Sequence, residues 1–409
     1  MATISFAKSK RTLLLCGMLL FMLIFAACGD DDPFIPTPTP TSNDAVMILD
    51  KDKREMIYSL VDLEGNKGRI YEMTYTVDYE LDEALKYNID GTDRLKMFVA
   101  EYLMDTVPPT KDIPLFYSAG CSAFACPDES TGDYQMGRNF DFNHFDPDTK
   151  ERIMIPAIVV HTAPKGGKKS VSFVDGQFVD YKSGFYTDGE SDLSMLIALP
   201  YLLLDGINED GFAVSVLKLD GLPTQQQDLV ESKNTIFTSV AMRMLLDRAG
   251  SVKEAVGMLR DFNMCMDKDT TASYHFFMAD ATGDYAIVEY TNPDISLNPD
   301  TMEVLNGVDT LRCTTNFYVS PTMIDTPYGY WSTHGKERYD DLRDGLYDHN
   351  YKMTPEEAMD LLRVVAQGPY GDQSSTGFTQ WSELFNLSQR RVTMSILREW
   401  DKRFEFGIE

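Results

Sequence analysis

Positive charge is scarce in this chain. Its 37 lysines and arginines face 64 aspartates and glutamates, for a formal net charge of -27 at pH 7. A nucleic-acid binder needs a basic face to displace counterions from phosphates, so DNA and RNA are excluded as expected partners. Cysteine is scarce too, six in 409 residues, too few and too scattered for a disulfide scaffold, though one bridge remains open in an oxidising envelope. Cys121 and Cys126 form a Cys-x4-Cys pair near His144, but no second pair matches it, so no metal site is expected. After residue 43 no second low-complexity linker appears, and 43% of the chain is hydrophobic, enough for one large domain.

The first residues read as targeting rather than fold. Lys8, Lys10 and Arg11 precede an apolar run from Thr12 to Ala27, the pattern of a signal-peptide core and short for a membrane span. The run ends in Phe25-Ala26-Ala27-Cys28, which resembles a bacterial lipobox with phenylalanine where leucine is usual. That resemblance implies lipid on Cys28 and a membrane tether; the alternative is a plain secreted protein cleaved nearby. Gly29-Asp30-Asp31-Asp32 resembles the surface-export signal of Bacteroidetes lipoproteins, implying a lipid-anchored protein of the bacterial cell envelope at the outer-membrane surface. Proline and threonine alternate from Pro36 to Thr41, an extended, semi-rigid spacer. The expected organisation is a lipoprotein signal peptide (1–27), a lipidated acidic and Pro/Thr-rich tether (28–43), a prosegment (44–120) and a catalytic domain (121–409).

The chemistry is concentrated between Gly120 and Phe142, GCSAFACPDESTGDYQMGRNFDF. A thiolate is the reactive form of cysteine, and a nearby guanidinium favours it. Alternation predicts two paired strands with Gly132-Asp133 as the turn; Cys121, Ala123 and Ala125 share one face, and so do Met136, Arg138 and Phe140. Asp141 has the opposite parity to Arg138, so one of the two is expected at a bulge or at the strand end. Read alone, Cys121 fits a small buried core residue equally well.

A cysteine followed about twenty residues later by G-R-N-F-D-F resembles the cysteine branch of the N-terminal-nucleophile hydrolases: choloylglycine hydrolases, penicillin V acylases, acid ceramidase and N-acylethanolamine amidases. The resemblance implies an α+β fold, the four-layer αββα sandwich of that family. It also implies self-cleavage of the Gly120–Cys121 bond, after which the Cys121 α-amine, with an ordinary pKa of about 7.7 to 8.0, is the base for its own thiol. Arg138 and Arg338, the latter matching the family's R-Y/F segment, are implied to keep the thiol ionised, and Asp141 to hold the α-amine. Asn316, in LRCTTNFY, matches the family's oxyanion-binding asparagine. Asp205 to Phe212, DGINEDGF, is an ordinary hairpin turn by composition. It also resembles a family segment whose next strand supplies a second oxyanion asparagine, and Lys218 stands in that place, leaving only a backbone N–H. No cofactor is implied.

The remaining patterns supply the body. Gly68 to Leu81 and Met154 to His161 read as strands, as does the apolar run Leu193 to Leu204. Asp93 to Met104 reads as a helix stopped by Pro108-Pro109, and Thr235 to Asn263 as two helices. Tyr274 to Tyr290 reads as a hairpin in which His275 is a packed or hydrogen-bonded residue. Gly377 to Trp381 and Arg391 to Ile396 resemble the family's terminal strands. The function implied is hydrolysis of linear amides, N-acyl amines or acyl amino-acid conjugates such as bile salts. The prosegment is a candidate non-covalent subunit after cleavage. Competing classes are an acyltransferase or peptidase of the same cysteine type and a ligand-binding surface lipoprotein with no nucleophile.

Overall fold

The computed structural model describes residues 50–104, 119–146, 149–189, 191–219, 232–266, 273–291, 301–330, 335–368 and 377–408. The signal peptide, Cys28, the tether and the Pro108-Pro109 stop lie outside the described residues. The strands are β1 (Val61–Asp62), β2 (Ile70–Tyr75), β3 (Ala119–Pro127), β4 (Tyr134–Phe142), β5 (Ala157–Thr162), β6 (Ser170–Asp175), β7 (Leu203–Asn208) and β8 (Ala213–Leu219). They continue as β9 (Thr235–Phe237), β10 (Asn263–Cys265), β11 (Ser273–Ala279), β12 (Tyr285–Thr291), β13 (Thr301–Leu305), β14 (Cys313–Thr314), β15 (Thr379–Asn386), β16 (Arg391–Ile396) and β17 (Phe404–Gly407). The α-helices are α1 (Lys51–Ile57), α2 (Leu81–Ala84), α3 (Thr92–Phe98), α4 (Thr238–Arg248), α5 (Val252–Leu259), α6 (Lys336–Asp348) and α7 (Pro355–Val364).

Two sheets carry the fold. One has nine strands in the order β1-β2-β5-β6-β7-β8-β11-β12-β13, the other six in the order β14-β3-β4-β15-β16-β17. They pack face to face: β3 lies against β8, and Phe173 of β6 meets Phe385 of β15 and Phe406 of β17 at ring separations of 6.1 and 5.8 Å. Helices cover the outer faces, α4 and α5 on the larger sheet, α6 and α7 on the smaller. This is the α+β, four-layer αββα sandwich. Strands covered on both faces need apolar side chains of both parities, and β6, β11 and β12 are buried at every position.

Residues 50–104 are part of this body. β2 pairs in parallel with β5 from Ile70↔Ala157 to Tyr75↔Thr162, making β1 and β2 one end of the larger sheet. Tyr71, Tyr75 and Tyr79 are buried. Tyr75 donates to the Ile197 carbonyl at 2.9 Å and Tyr79 to Asp247 at 2.6 Å, where Asp247 is already paired with the buried Arg243. Burying one side chain of this size contributes roughly 1.5–3 kcal/mol, so three approach the net stability of ~5–15 kcal/mol of a whole domain. Glu64 binds Arg69 and Lys402, and Arg69 also reaches Glu399, tying the segment between β1 and β2 to the connection between β16 and β17.

The sequence misplaces two elements. Leu193–Tyr201 is a 3-10 helix, started by Asp192 accepting from the Ser194 N–H, and only Leu203 onward is strand. An unbroken apolar run has no period to separate a buried helix from a strand. Asp205 and Gly206 lie inside β7, and the turn is confined to the residues after Asn208, closed by Gly211 N–H donating to the Asn208 carbonyl at 2.9 Å. α3 ends at Phe98 and continues to Met104 as a π-helical turn.

A chain beginning at Cys121 should therefore fail to reach the native fold. Near-UV circular dichroism of the separately expressed 121–409 fragment should lack the signal of the full chain; an unchanged spectrum and melting temperature would contradict the assignment of residues 50–104 to the core.

Candidate active site

Cys121 lies in the middle of the smaller sheet. The β3–β4 ladder runs unbroken from Ala119↔Phe142 to Pro127↔Tyr134, with Gly120 opposite Asp141, Cys121 opposite Phe140, and Ala123 opposite Arg138. The connection is not the expected two-residue turn but the six residues Asp128 to Asp133, closed by the Gly132 N–H on the Asp128 carbonyl at 2.8 Å. The expected bulge is absent from this ladder. It occurs on the neighbouring strand, where β15 shifts register between Thr379 and Trp381, opposite Asp141 and Phe140. Parity then sends Cys121 and Arg138 toward the larger sheet, and Ser122, Asn139 and Asp141 toward α6 and α7.

Arg138 crosses the gap between the sheets. Its Nε donates to Asp205 Oδ1 of β7 at 2.7 Å, Nη2 donates to the Val216 carbonyl of β8 at 3.0 Å, and Nη1 reaches the Asn139 carbonyl. Register puts the Cys121 thiol on the same face as the guanidinium, diagonally across the ladder, where the two interact electrostatically. Burial works against the arginine's charge, but Asp205 and Cys121 outweigh it and hold the group more firmly protonated than usual. Arg138 and Asp205 are both 0% exposed. The sequence did not identify Asp205, because D-G read as a turn.

The backbone of Cys121 is held from the other side. Its N–H donates to Asn316 Oδ1 at 2.7 Å. Arg338, in the first turn of α6, donates from Nη2 to the same oxygen at 2.7 Å, and from Nη1 to the Cys121 carbonyl and to Ser122 Oγ at 2.9 Å. Asn316 Nδ2 donates to the Lys218 carbonyl at 2.6 Å. Donors on Oδ1 and an acceptor on Nδ2 fix the amide's orientation. Gly335 caps α6 with φ +84°, and a Cβ there would sit 2.8 Å from Thr315 Oγ1 and 3.0 Å from the Asn316 nitrogen, so only glycine brings Arg338 this close.

The five residues expected at the site are thus neighbours, with altered partners. Asp141 sits across from Gly120; its carboxylate accepts from Thr379 at 2.6 Å and Gln367 at 3.0 Å, with Arg338 Nη1 3.7 Å away. The group on the Cys121 nitrogen is Asn316. Gln367 also fills the space at Gly120, where a Cβ would come within 1.8 Å of its Nε2. Lys218 presents a carbonyl to Asn316, and Val216, two residues earlier, presents one to Arg138. In a strand the N–H and C=O of one residue point the same way, so the Lys218 N–H lies along this same edge, past the end of β7 pairing at Ser215.

Other titratable groups support this frame. His275 reaches Glu289 through Nδ1 at 3.0 Å and the Thr315 carbonyl through Nε2 at 2.8 Å, and Glu289 accepts from the Val319 and Ser320 N–H groups at 2.9 Å. Both are buried and anchor the segment carrying Asn316, so His275 is the packed, hydrogen-bonded residue that its strand position suggested. Burial pushes the Cys126 thiol up to about 12 and raises that of Cys313, so neither is a ready nucleophile. Among the described residues no group of His, Cys, Asp and Glu is arranged to hold a metal ion.

The family model described as linear amide C-N hydrolases, choloylglycine hydrolase family, matches residues 121–319. Similar solved structures include a variant of conjugated bile acid hydrolase from Clostridium perfringens, 13% identical with a TM-score of 0.46, covering 70% of this chain and 92% of that one. Another is penicillin V acylase from Agrobacterium tumefaciens, 16% identical with a TM-score of 0.44, covering 70% of this chain and 86% of that one. No curated protein matches the sequence. The family match begins at Cys121 itself and runs past Asn316, so the stretch that resembles the linear amide C-N hydrolase, choloylglycine hydrolase family is the one that carries the candidate site.

Proposed function

We propose that the protein hydrolyses N-acyl amides with Cys121 as nucleophile, after cleavage of the Gly120–Cys121 bond turns its backbone nitrogen into a free amine. The observation that carries this reading is the double hold on one residue: Arg138 at the thiol, and Asn316 with Arg338 at the backbone. A structural cysteine needs neither. In maturation the thiol attacks the Gly120 carbonyl carbon, the C–N bond breaks and the nitrogen takes up a proton. Water then hydrolyses the thioester, leaving a Gly120 carboxylate and a free thiol.

In turnover the thiolate attacks the substrate's amide carbon. The oxyanion is met by the second N–H of Asn316 Nδ2 and by the Lys218 backbone N–H, both aimed at one strand edge. The α-ammonium of Cys121 gives its proton to the leaving amine, and as a free amine it then activates the water that cleaves the thioester. Asn316 Oδ1, already on this nitrogen at 2.7 Å, orients the amine. Asp141, through Thr379, Gln367 and Arg338, fixes the strand end that carries it. The substrate class is an apolar acyl group on a small amine or amino acid, the chemistry shared by conjugated bile acids and penicillin V. Lipid at Cys28 would place the enzyme on an envelope membrane, and the paired β2 favours a prosegment that stays docked after the cut.

Three outcomes test this. Wild-type protein should yield two fragments and turn over members of a panel of N-acyl glycines, taurine conjugates and N-acylethanolamines, while Cys121→Ala stays full length and inactive; equal turnover by Cys121→Ala would end the enzyme reading. Asp205→Ala leaves Arg138 charged, buried and unpaired, and should cost about 3–5 kcal/mol in chemical unfolding; a loss under about 1 kcal/mol would mean that the pair is not what holds the sheets here. The fragments should separate in acid. Burial opposes the charge of Glu64, but Arg69 and Lys402 hold its pKa down to about 2. Its contribution is therefore complete above the ordinary carboxylate pKa of about 4.3 and is lost as pH falls toward 2. Size-exclusion chromatography should show the cleaved fragments co-eluting at pH 7 and parting below pH ~3; separation at pH 7 would contradict a docked prosegment.

A further inference from the structure

Glu383 is a buried acid with no ion pair of its own; burial and Asp205 oppose its charge, and Arg138 and the Trp381 indole favour it. It lies on β15 directly opposite Arg138 of β4 on one side and the apolar Met394 of β16 on the other. It is 0% exposed, and neither carboxyl oxygen has a hydrogen-bond partner. The guanidinium it faces is already committed to Asp205 and to the Val216 and Asn139 carbonyls, and it shares its face of the sheet with the Cys121 thiol. The Trp381 indole beside it donates to Asp205 at 3.3 Å. The groups facing Glu383 are thus one shared cation, one carboxylate, an indole and a methionine.

A second carboxylate in this dry gap would be an unpaired charge beside Asp205, at a cost of several kcal/mol, and such a group keeps its proton instead. Burial and the Asp205 charge both raise its proton affinity well above that of an ordinary glutamate, against the pull of Arg138. The local charges then have a definite sum. Arg138 balances Asp205, and a Cys121 thiolate leaves one net negative charge. Ionising Glu383 adds a second, so the glutamate and the thiol compete for the same guanidinium.

We propose, resting on Cys121 as the nucleophile, that Glu383 is a positioning residue: buried opposite Arg138 without an ion pair of its own, it leaves that guanidinium available to the Cys121 thiolate, and ionising it withdraws that support. The glutamate acts through Arg138, and its effect is read in the pH dependence of the thiol.

Glu383→Gln keeps shape and removes the titration, and Glu383→Met replaces it should the glutamine variant misfold. Melting temperatures of wild type and variant should be compared from pH 4 to 9. A raised folded-state pKa gives stability that is complete below the unfolded value of about 4.3 and fades as pH climbs toward the folded value. The variant lacks this loss, so its melting temperature should gain on the wild type steadily as pH rises. Iodoacetamide labelling of Cys121 in the matured protein, followed by mass spectrometry, should give rates within about twofold at pH 7 and a variant that pulls ahead at alkaline pH, where the wild-type thiol loses its share of Arg138. A melting difference independent of pH, labelling profiles that coincide throughout, or a drop of about tenfold in the variant's labelling at pH 7 would each overturn the proposal. A protein that never matures would instead refute the function proposed for Cys121, while the melting comparison would still decide whether Glu383 is neutral.

Discussion

One buried guanidinium joins the two halves of this protein. Arg138 leaves the smaller sheet, binds Asp205 and the Val216 carbonyl on the larger one, and stands over Cys121. A fully buried charge is tolerated only when nearly all its donors are used, so the relative placement of β4, β7 and β8 is set by this one side chain. The site inherits that precision. Cys121 faces Arg138 because β3 and β4 keep an unbroken register, and one slipped residue would turn the thiol toward the helices.

The backbone of the same cysteine is governed separately. α6 abuts the 315–316 segment through a glycine that no other residue could replace, and Arg338 then spans Asn316, Ser122 and the Cys121 carbonyl. His275 and Glu289 fix the other flank of that segment. The thiol is therefore adjusted from between the sheets and the nitrogen from beneath the smaller sheet. That division suits a residue proposed to supply both nucleophile and base, because either can be tuned without moving the other.

Much of this was legible in the sequence where local pattern and chemistry coincide. Strand alternation around Cys121 and Arg138, the hairpin at Tyr274 to Tyr290 and the segments holding Asn316 and Arg338 all carry short-range signals. What stayed hidden depends on long-range contact. Asp205 carried a turn signature and proved to be a strand residue, because pairing with β6 and β8 overrides local preference. Glu383 and Gln367 sit in a terminal strand and a loop with no motif, and only their distance in space from Arg138 and Asp141 gives them meaning. Leu193–Tyr201 was opaque for a third reason: a run that is apolar on every side carries no period.

The stretch before Gly120 follows the same logic. Its β2 lies between β1 and β5, and parallel pairing with β5 makes it structural, so the proposed cut at Gly120 would divide the chain without dividing the fold. The measurement that tests this account most directly is peptide mapping of active protein after labelling with iodoacetamide. The account predicts the label on a peptide whose first residue is Cys121, with activity lost in step. Active protein whose labelled peptide runs continuously through Gly120, or whose label falls on Cys126, Cys265 or Cys313, would contradict it.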